Sequence, residues 1–317
     1  MEIYIVSDVG GTRIRVASFE VDTLKPISQK KISTQAKDQL PIDRLIQLIS
    51  EIKEGHTIKG IAVAAPGYLD PDLGIVYEAP NIPDWKNYPL RKILEDAFNV
   101  PIFLGNDANL AALGEWKFGA GIGHSNLLYL TISTGIGSGA VLNNNLLLGH
   151  KGLAGEFGHT TVLPDGPLCG CGKKGHIEAI SSGTGIINYV KEQIDSGRSS
   201  TLKSIEKITG TEITKAANSG DELAIEAYNR AGYYLGIALA NFLHMLNPSI
   251  VIFGGGVSSA GDLLFKPMMD SLEERLMSPA YLEGLTFTRA QLGDEVGIKG
   301  ALALLVTKLS SNLSISN

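Results

Sequence analysis

Both cysteines of the 317-residue chain, Cys169 and Cys171, fall in one short stretch, LCGCGKKGHIEA, which also carries His176 and Glu178. Two thiolates are too few to hold a tetrahedral metal alone. The stretch therefore reads as part of a metal site completed from elsewhere, as a redox pair, or as a glycine-rich turn containing sulfur. A short loop upstream, GEFGH supplies Glu156 and His159, so thiol, imidazole and carboxylate concentrate in one segment. A second constellation, Asn106–Asp107 in FLGNDANLAALGE, stands where an apolar strand pattern gives way to a helical one. That junction is the ligand-facing edge of open α/β sheets, and it is also where a helix N-cap belongs; Asp107 suits either role.

Three glycine turns suggest phosphate chemistry. In SDVGGTRIRV, Asp8 ends an apolar run, and Gly10, Gly11 and Thr12 form the turn. Without a Cβ, such residues let backbone N–H groups approach an anion. Asp8 would repel a bare phosphate, so the pairing makes sense with a divalent cation between them. A plain β-hairpin with a Gly-Gly corner explains the same residues. In STGIGSGA, Gly135, Gly137 and Ala140 match a dinucleotide fingerprint, but VLNNNLLLG follows with no helical stripe. A phosphate-cradling hairpin using Ser133 and Thr134 fits better than a Rossmann turn. The third turn, Gly254 to Val257 in FGGGV, leaves bare backbone at Gly255 and Gly256 against which an adenine or ribose could lie. No G-x-x-x-x-G-K-[ST] occurs, so any nucleotide is held by another fold.

These residues need elements to position them. Short apolar runs alternate with helical stripes along the whole chain, as in IKGIAVAAPG followed later by YPLRKILEDAFN. The alternation predicts an α/β protein, and the length suits two domains. Both halves open with strand, glycine turn and strand, DVGGTRIRVASF beside ISTGIGSGAVL, which predicts an internal duplication. A hydrophobic content of 44% with 19% charged residues is that of a globular chain. The net charge of -6 argues against nucleic acid as the main partner. The start, MEIYIVSDVGG, reads as a first strand and not a signal peptide, and no apolar run approaches the roughly 20 residues of a bilayer span. Two cysteines one residue apart suit a reducing cytoplasm.

The motifs DVGGTRIRVA, APNIPDW, GNDANLAALGE, TISTGIGSGAV, GEFGHTTV, CGCGKKGHIEA and FGGGVSS occur in the order seen in the ROK family of repressors and sugar kinases. The chain resembles the glucokinase/hexokinase members of that family from about Ile3 to its last helix. The resemblance implies an actin/hexokinase-like (ribonuclease-H-like) α/β fold, with two domains flanking a cleft. The domains expected are 1–117 and 118–297, with a closing helix over about 298–317 packing back onto the first. It further implies ATP-dependent phosphorylation of a hexose, with glucose favoured over a broader hexose range or an N-acetylhexosamine. A homodimer is the expected assembly.

Carried over by position, Asp107 is the general base and Asn106 a ligand for neighbouring hydroxyls. Glu156, His159 and Glu178 lie around the anomeric end of the sugar, and Gly67 and Asn81 on the sugar loops. Asp8 stands near Mg²⁺; Gly10, Gly11, Thr12, Thr134, Gly135 and Gly137 belong to phosphate loops, and Gly255 and Gly256 to the adenosine turn. Family zinc sites use a Gly-His histidine and three cysteines in C-x-C-G-x-x-G-C, whereas here His176 replaces the last cysteine. The set His159, Cys169, Cys171 and His176 remains chemically suited to structural Zn²⁺. A sugar-responsive regulator of the same family would carry an N-terminal DNA-binding domain, for which a chain that reaches DVGGT by residue 12 has no room. A non-catalytic actin-like nucleotide module would not need Asn106–Asp107 and GEFGH together.

Overall fold

A computed structural model of the chain describes residues 1–82 and 84–314; Pro83 of the APNIPDW motif and positions 315–317 of the predicted closing helix lie outside the described residues. The amino-terminal half begins with β1 (Glu2–Val9), β2 (Arg13–Glu20), β3 (Pro26–Ser33), α1 (Pro41–Lys53) and β4 (Thr57–Ala65). Then come β5 (Tyr68–Asp70), β6 (Ile75–Glu78), β7 (Lys86–Tyr88), α2 (Leu90–Phe98), β8 (Ile102–Asn106) and α3 (Asp107–Phe118). The second half opens with β9 (Leu127–Ile132), β10 (Ile136–Leu142) and β11 (Asn145–Leu146), followed by α4 (Glu178–Ser181), α5 (Gly183–Asp195), α6 (Gly210–Asn218) and α7 (Glu222–Leu246). It closes with β12 (Ile250–Gly254), α8 (Asp262–Glu273), β13 (Thr286–Arg289) and α9 (Val296–Ser314).

Two five-stranded sheets share one plan, with strand orders β3-β2-β1-β4-β8 and β11-β10-β9-β12-β13. In each, the first three strands pair antiparallel and the last three parallel. The two glycine turns that look alike in sequence therefore occupy equivalent corners, one joining β1 to β2 and the other β9 to β10. The elements that patterning does not reveal lie mostly at edges. β3, PISQKKIS, has no buried residue, and its polar composition suits an unpaired sheet edge while hiding the strand's period. The small sheet β5-β6-β7 and the short strand β13 are likewise too brief to announce themselves.

The central strands carry near-continuous apolar runs because both faces of the sheet are covered. α1 packs Leu45 and Ile49 against Ile3, Ile5 and Val63 on one face of the first sheet. On the other face, Val6, Ala62 and Ala64 meet Leu110 and Leu113 of α3 and Ile298, Leu302 and Leu305 of α9. α3 turns Ala111 and Ala112 the opposite way, onto Leu127, Tyr129 and Ile252 of the second sheet. It thus lies between the sheets, buried continuously from Ala108 to Glu115, which explains why its sequence shows no one-sided apolar stripe. α3 and α9 cross almost backbone to backbone: a Cβ on Gly114 would stand 2.9 Å from the Gly300 nitrogen. Truncating Leu302, 1% exposed in this layer, to alanine is expected to cost about 2–5 kcal/mol.

At the far end of α3 the fully buried Glu115 ties the two crossings between the halves. Its Oε2 accepts from Ala120 N at 2.8 Å, and its Oε1 accepts from Gln291 N and Leu292 N at 2.9 Å each. Three backbone donors to one carboxylate are what a buried charge requires. Among the described residues, no helix is long and apolar enough to cross a membrane.

Candidate active site

Between the two sheets lies a cleft of about 1540 Å³. Asn106 and Asp107 line it where β8 passes into α3. The N-cap of α3 is Asn106: its Oδ1 accepts from Ala108 N at 3.0 Å and Asn109 N at 3.1 Å, and its Nδ2 donates to Gly67 O at 3.1 Å. Asp107 is therefore released from the capping role its position suggested. Its Oδ1 accepts from Ala108 N at 2.8 Å, and its carboxylate opens onto the cleft. Although water reaches it along the cleft, protein walls enclose it, and that enclosure pushes its carboxyl from the ordinary 3.8 to about 6. Repulsion from Asp8 and Glu156 acts in the same direction.

The sugar-loop candidates converge on this point. Gly67, with φ +83°, brings its carbonyl to Asn106, and a side chain there would collide with the backbone of Glu78 and Ala79. Asn81 lines the cleft as well, and Gly11 of the β1–β2 turn packs directly on it. Asp8 faces the cleft from the end of β1. Gly10, Gly11 and Thr12 do not line it: Gly10 N closes the turn on Arg13 O at 2.9 Å, and Thr34 N donates to Thr12 O at 2.9 Å.

On the opposite wall, Thr134, Gly135 and Gly137 line the cleft. Glu178 reaches this hairpin from α4, its Oε2 accepting from Ile136 N at 2.9 Å, and a Cβ on Gly135 would stand 2.5 Å from that oxygen. The sequence offered no helix N-terminus for this turn, but the tertiary structure brings one. At the start of α5, Gly183 N donates to Ser133 O at 2.7 Å and Thr184 N to Thr134 O at 3.3 Å. Gly255 and Gly256 lie behind this corner and outside the cleft lining, with Gly255 at φ +83° against Ile132.

Glu156 and His159 complete the wall beside Asp107. Burial raises the Glu156 carboxyl above its ordinary value; the nearby His159 opposes the shift and Glu178 adds to it. His159 also belongs to a second cluster: the ligand atoms of His159, Cys169, Cys171 and His176 all lie within 4.8 Å of one another. Cys169 Sγ is 3.7 Å from His159 Nδ1, and Cys171 Sγ is 3.2 Å from His176 Nδ1. A tetrahedral ion with bonds of 2.0–2.3 Å would set its ligands about 3.3–3.8 Å apart, so the donor set fits. A tight turn, Cys169 N to Lys173 O at 2.8 Å and Gly172 N to Cys169 O at 2.9 Å, presents both sulfurs to the same point. His159 and Cys171 of the cluster line the cleft themselves, and Glu178 links Cys169 to it, its Oε1 accepting from Cys169 Sγ at 3.4 Å. Neither cysteine is in a disulfide.

Several cleft residues have no local signal in the sequence. Tyr68 faces His159 with ring centroids 6.5 Å apart. Asn188 and Tyr189 of α5 and Arg230 of α7 also line the cleft, with the Arg230 guanidinium 4.7 Å from the Tyr189 ring. Arg230 sits inside a 25-residue helix with nothing around it to mark a ligand site. A smaller cavity of about 400 Å³ behind β8 shares only Asn106 with the candidate residues.

This arrangement has close counterparts. The chain is 38% identical to a glucokinase from Halalkalibacterium halodurans, covering 94% of this chain and 93% of that protein. Its structure superposes with a TM-score of 0.76 on a ROK family glucokinase from Streptomyces griseus in complex with glucose and AMPPNP, at 34% identity over 94% of this chain and 97% of the other. A ROK hexokinase from Thermus thermophilus gives a TM-score of 0.80 at 32% identity over 97% and 99% of the two chains. The chain superposes on both of these ROK kinases over nearly its full length, so the actin/hexokinase-like fold class holds. The ROK family model matches residues 4–308, from β1 into α9, and a match of that extent means that the chain belongs to the ROK family.

Proposed function

We propose that the chain is an ATP-dependent sugar kinase that phosphorylates glucose to glucose 6-phosphate, with Asp107 as the general base. The observation that carries the reading is the position of Asp107. It heads a helix buried between two sheets, is freed from capping by Asn106, and faces a cleft lined by Asp8 of one hairpin and by the glycine turn of its topological counterpart. The glucokinase relatives support the reaction and the substrate. We take the two walls of the cleft as residues 1–117 with the closing helix from about residue 298, and residues 118–297.

Phosphoryl transfer passes through a loose transition state, so the protein chiefly positions the acceptor and stabilises charge. In the closed cleft the 6-hydroxyl oxygen attacks the γ-phosphorus and the bond to the ADP oxygen breaks. The hydroxyl proton goes to Asp107 Oδ2, since Oδ1 is held by Ala108 N. A carboxyl held near 6 is a stronger base than an ordinary one and still ionised at neutral pH, the compromise that general-base catalysis favours. Asn106 keeps one amide hydrogen for a sugar hydroxyl after capping α3 and binding Gly67. Glu156, His159 and Glu178 would orient the ring, and Thr134, Gly135 and Gly137 would border the phosphates. Asp8 fits Mg²⁺, an ion that takes one or two carboxylates beside substrate phosphates and keeps several waters. When bound, Mg²⁺ supplies neutralisation of the developing phosphate charge. Structural Zn²⁺ at His159, Cys169, Cys171 and His176 would brace the loops that carry His159 and Glu178. Two cysteines free of disulfides suit work in the cytoplasm.

The test is a panel of hexoses, including N-acetylhexosamines, with ATP and Mg²⁺ in a coupled ADP-release assay. Turnover highest on glucose is expected; turnover on none of the sugars would sink the kinase reading.

A further inference from the structure

In the antiparallel pairing of β1 with β2, Asp8 stands directly opposite Arg15, so both side chains emerge on the same face. Arg15 Nη2 approaches Asp8 Oδ2 to 2.5 Å, with the two side chains only 20% and 18% exposed. The other fork of the guanidinium, Nη1, donates to the main-chain oxygen of Asp294. Asp294 lies in the segment that leads from the second sheet into α9, and Gln29 of β3 holds the same segment through Glu295 Oε1 at 3.2 Å. α9 closes over the pair: a Cβ on Gly297 would stand 2.5 Å from Asp8 Oδ2, so only a glycine leaves room for the carboxylate there. Asp8 and Gly297 line the cleft, whereas Arg15 does not. The cation therefore stands behind the carboxylate, out of reach of a nucleotide.

We propose that Arg15 is a positioning residue that competes with Mg²⁺ for Asp8 and so sets the Mg²⁺ concentration at which the cleft takes up nucleotide. The inference rests on the placement of Mg²⁺ at Asp8 given above. A guanidinium forked between a carboxylate and a carbonyl oxygen is a strong, oriented partner. It holds Asp8 aimed into the cleft, and it also cancels the charge that would draw a divalent ion before ATP brings its own phosphates. Its anchorage on Asp294 keeps it from following an incoming ligand into the cleft.

The experiment is calorimetric binding of a non-hydrolysable ATP analogue to the full chain over a Mg²⁺ series, for wild type, Arg15→Gln, Arg15→Lys and Asp8→Asn. Binding of glucose, which does not involve Arg15, serves as the control for a folded cleft. Arg15→Gln is expected to lower the Mg²⁺ midpoint about tenfold, while Arg15→Lys, which keeps the charge, stays within about threefold of wild type. Asp8→Asn is expected to raise the midpoint. An unchanged or raised midpoint in Arg15→Gln, with Asp8→Asn raised as expected, overturns the role of Arg15 alone. A midpoint unmoved by Asp8→Asn overturns the placement of Mg²⁺ itself.

Discussion

The two β-hairpins that face each other across the cleft have the same place in the same topology and carry opposite chemistry. At the β1–β2 corner the strand itself ends in a carboxylate, Asp8, backed by Arg15 from the neighbouring strand. At the β9–β10 corner the strand ends in hydroxyls, Ser133 and Thr134, and the carboxylate present, Glu178, arrives from α4. The first corner is suited to a cation and the second to phosphate oxygens, with N–H groups and hydroxyls at the turn. A repeated scaffold supplies the geometry, and a few side chains divide the work. Asp107, on the helix packed between the sheets, belongs to neither corner and addresses what lies between them.

Four substitutions and one treatment, removal of the metal, can break or sharpen this division. The largest effect is expected from Asp107→Asn, which keeps shape and removes the base: kcat should fall by about 10²–10⁴-fold while glucose affinity stays within about tenfold. Steady-state kinetics with calorimetric sugar binding decides it. In the parent protein Asp107 accepts a proton only when ionised, and its carboxyl lies near 6. The rate should therefore drop as pH falls through about 6, and a pH profile of kcat/KM should lose that acid limb in Asp107→Asn.

Next come the two corners themselves. Asp8→Asn should raise the Mg²⁺ concentration needed for half-maximal rate by about 10–100-fold with little change in glucose KM. Glu178→Gln should do the reverse, raising glucose KM by about tenfold and leaving the Mg²⁺ midpoint in place. If both variants moved the same constant, the division of labour would be wrong.

A smaller effect is expected at the cysteine loop. Protein purified without chelator or added zinc should hold close to one zinc per chain by metal analysis; less than about 0.2 would make the loop metal-free. Stripping the metal should lower the melting midpoint by about 3 °C, the equivalent of about 2 kcal/mol in a chain of this size. The smallest change is expected from His176→Cys, which swaps one zinc-type ligand for another and should keep both metal and melting midpoint.

Much of the molecule was legible before its structure. Strands buried on both faces, such as IAVAA, announce themselves by unbroken apolar runs, and the paired glycine turns pointed to the repeated sheet. The cysteine-loop ligands were legible through the resemblance to the family's zinc motif, with His176 in place of its last cysteine. Edge strands such as β3 were not legible, since a polar, exposed strand has no apolar period. Arg230 and Tyr189 were not either: helix interiors far apart in sequence meet at the cleft only because α5 and α7 pack together. Nor could the sequence decide between capping and a free carboxylate for Asp107, as Asn106 and Asp107 are both capping types and only one position has the extended backbone of a cap.

By itself, then, the sequence determined the α/β class, the repeated glycine-turn corners and the residue types available for chemistry, because each is encoded in local period and composition. Only the tertiary structure decided that Asn106 caps and Asp107 faces the cleft, and that Arg15 stands behind Asp8. It likewise decided that Glu178 joins the cysteine loop to the phosphate hairpin. Those are relations between atoms brought together by sheet pairing and helix packing, and a one-dimensional pattern carries no distance between residues that only the fold makes neighbours.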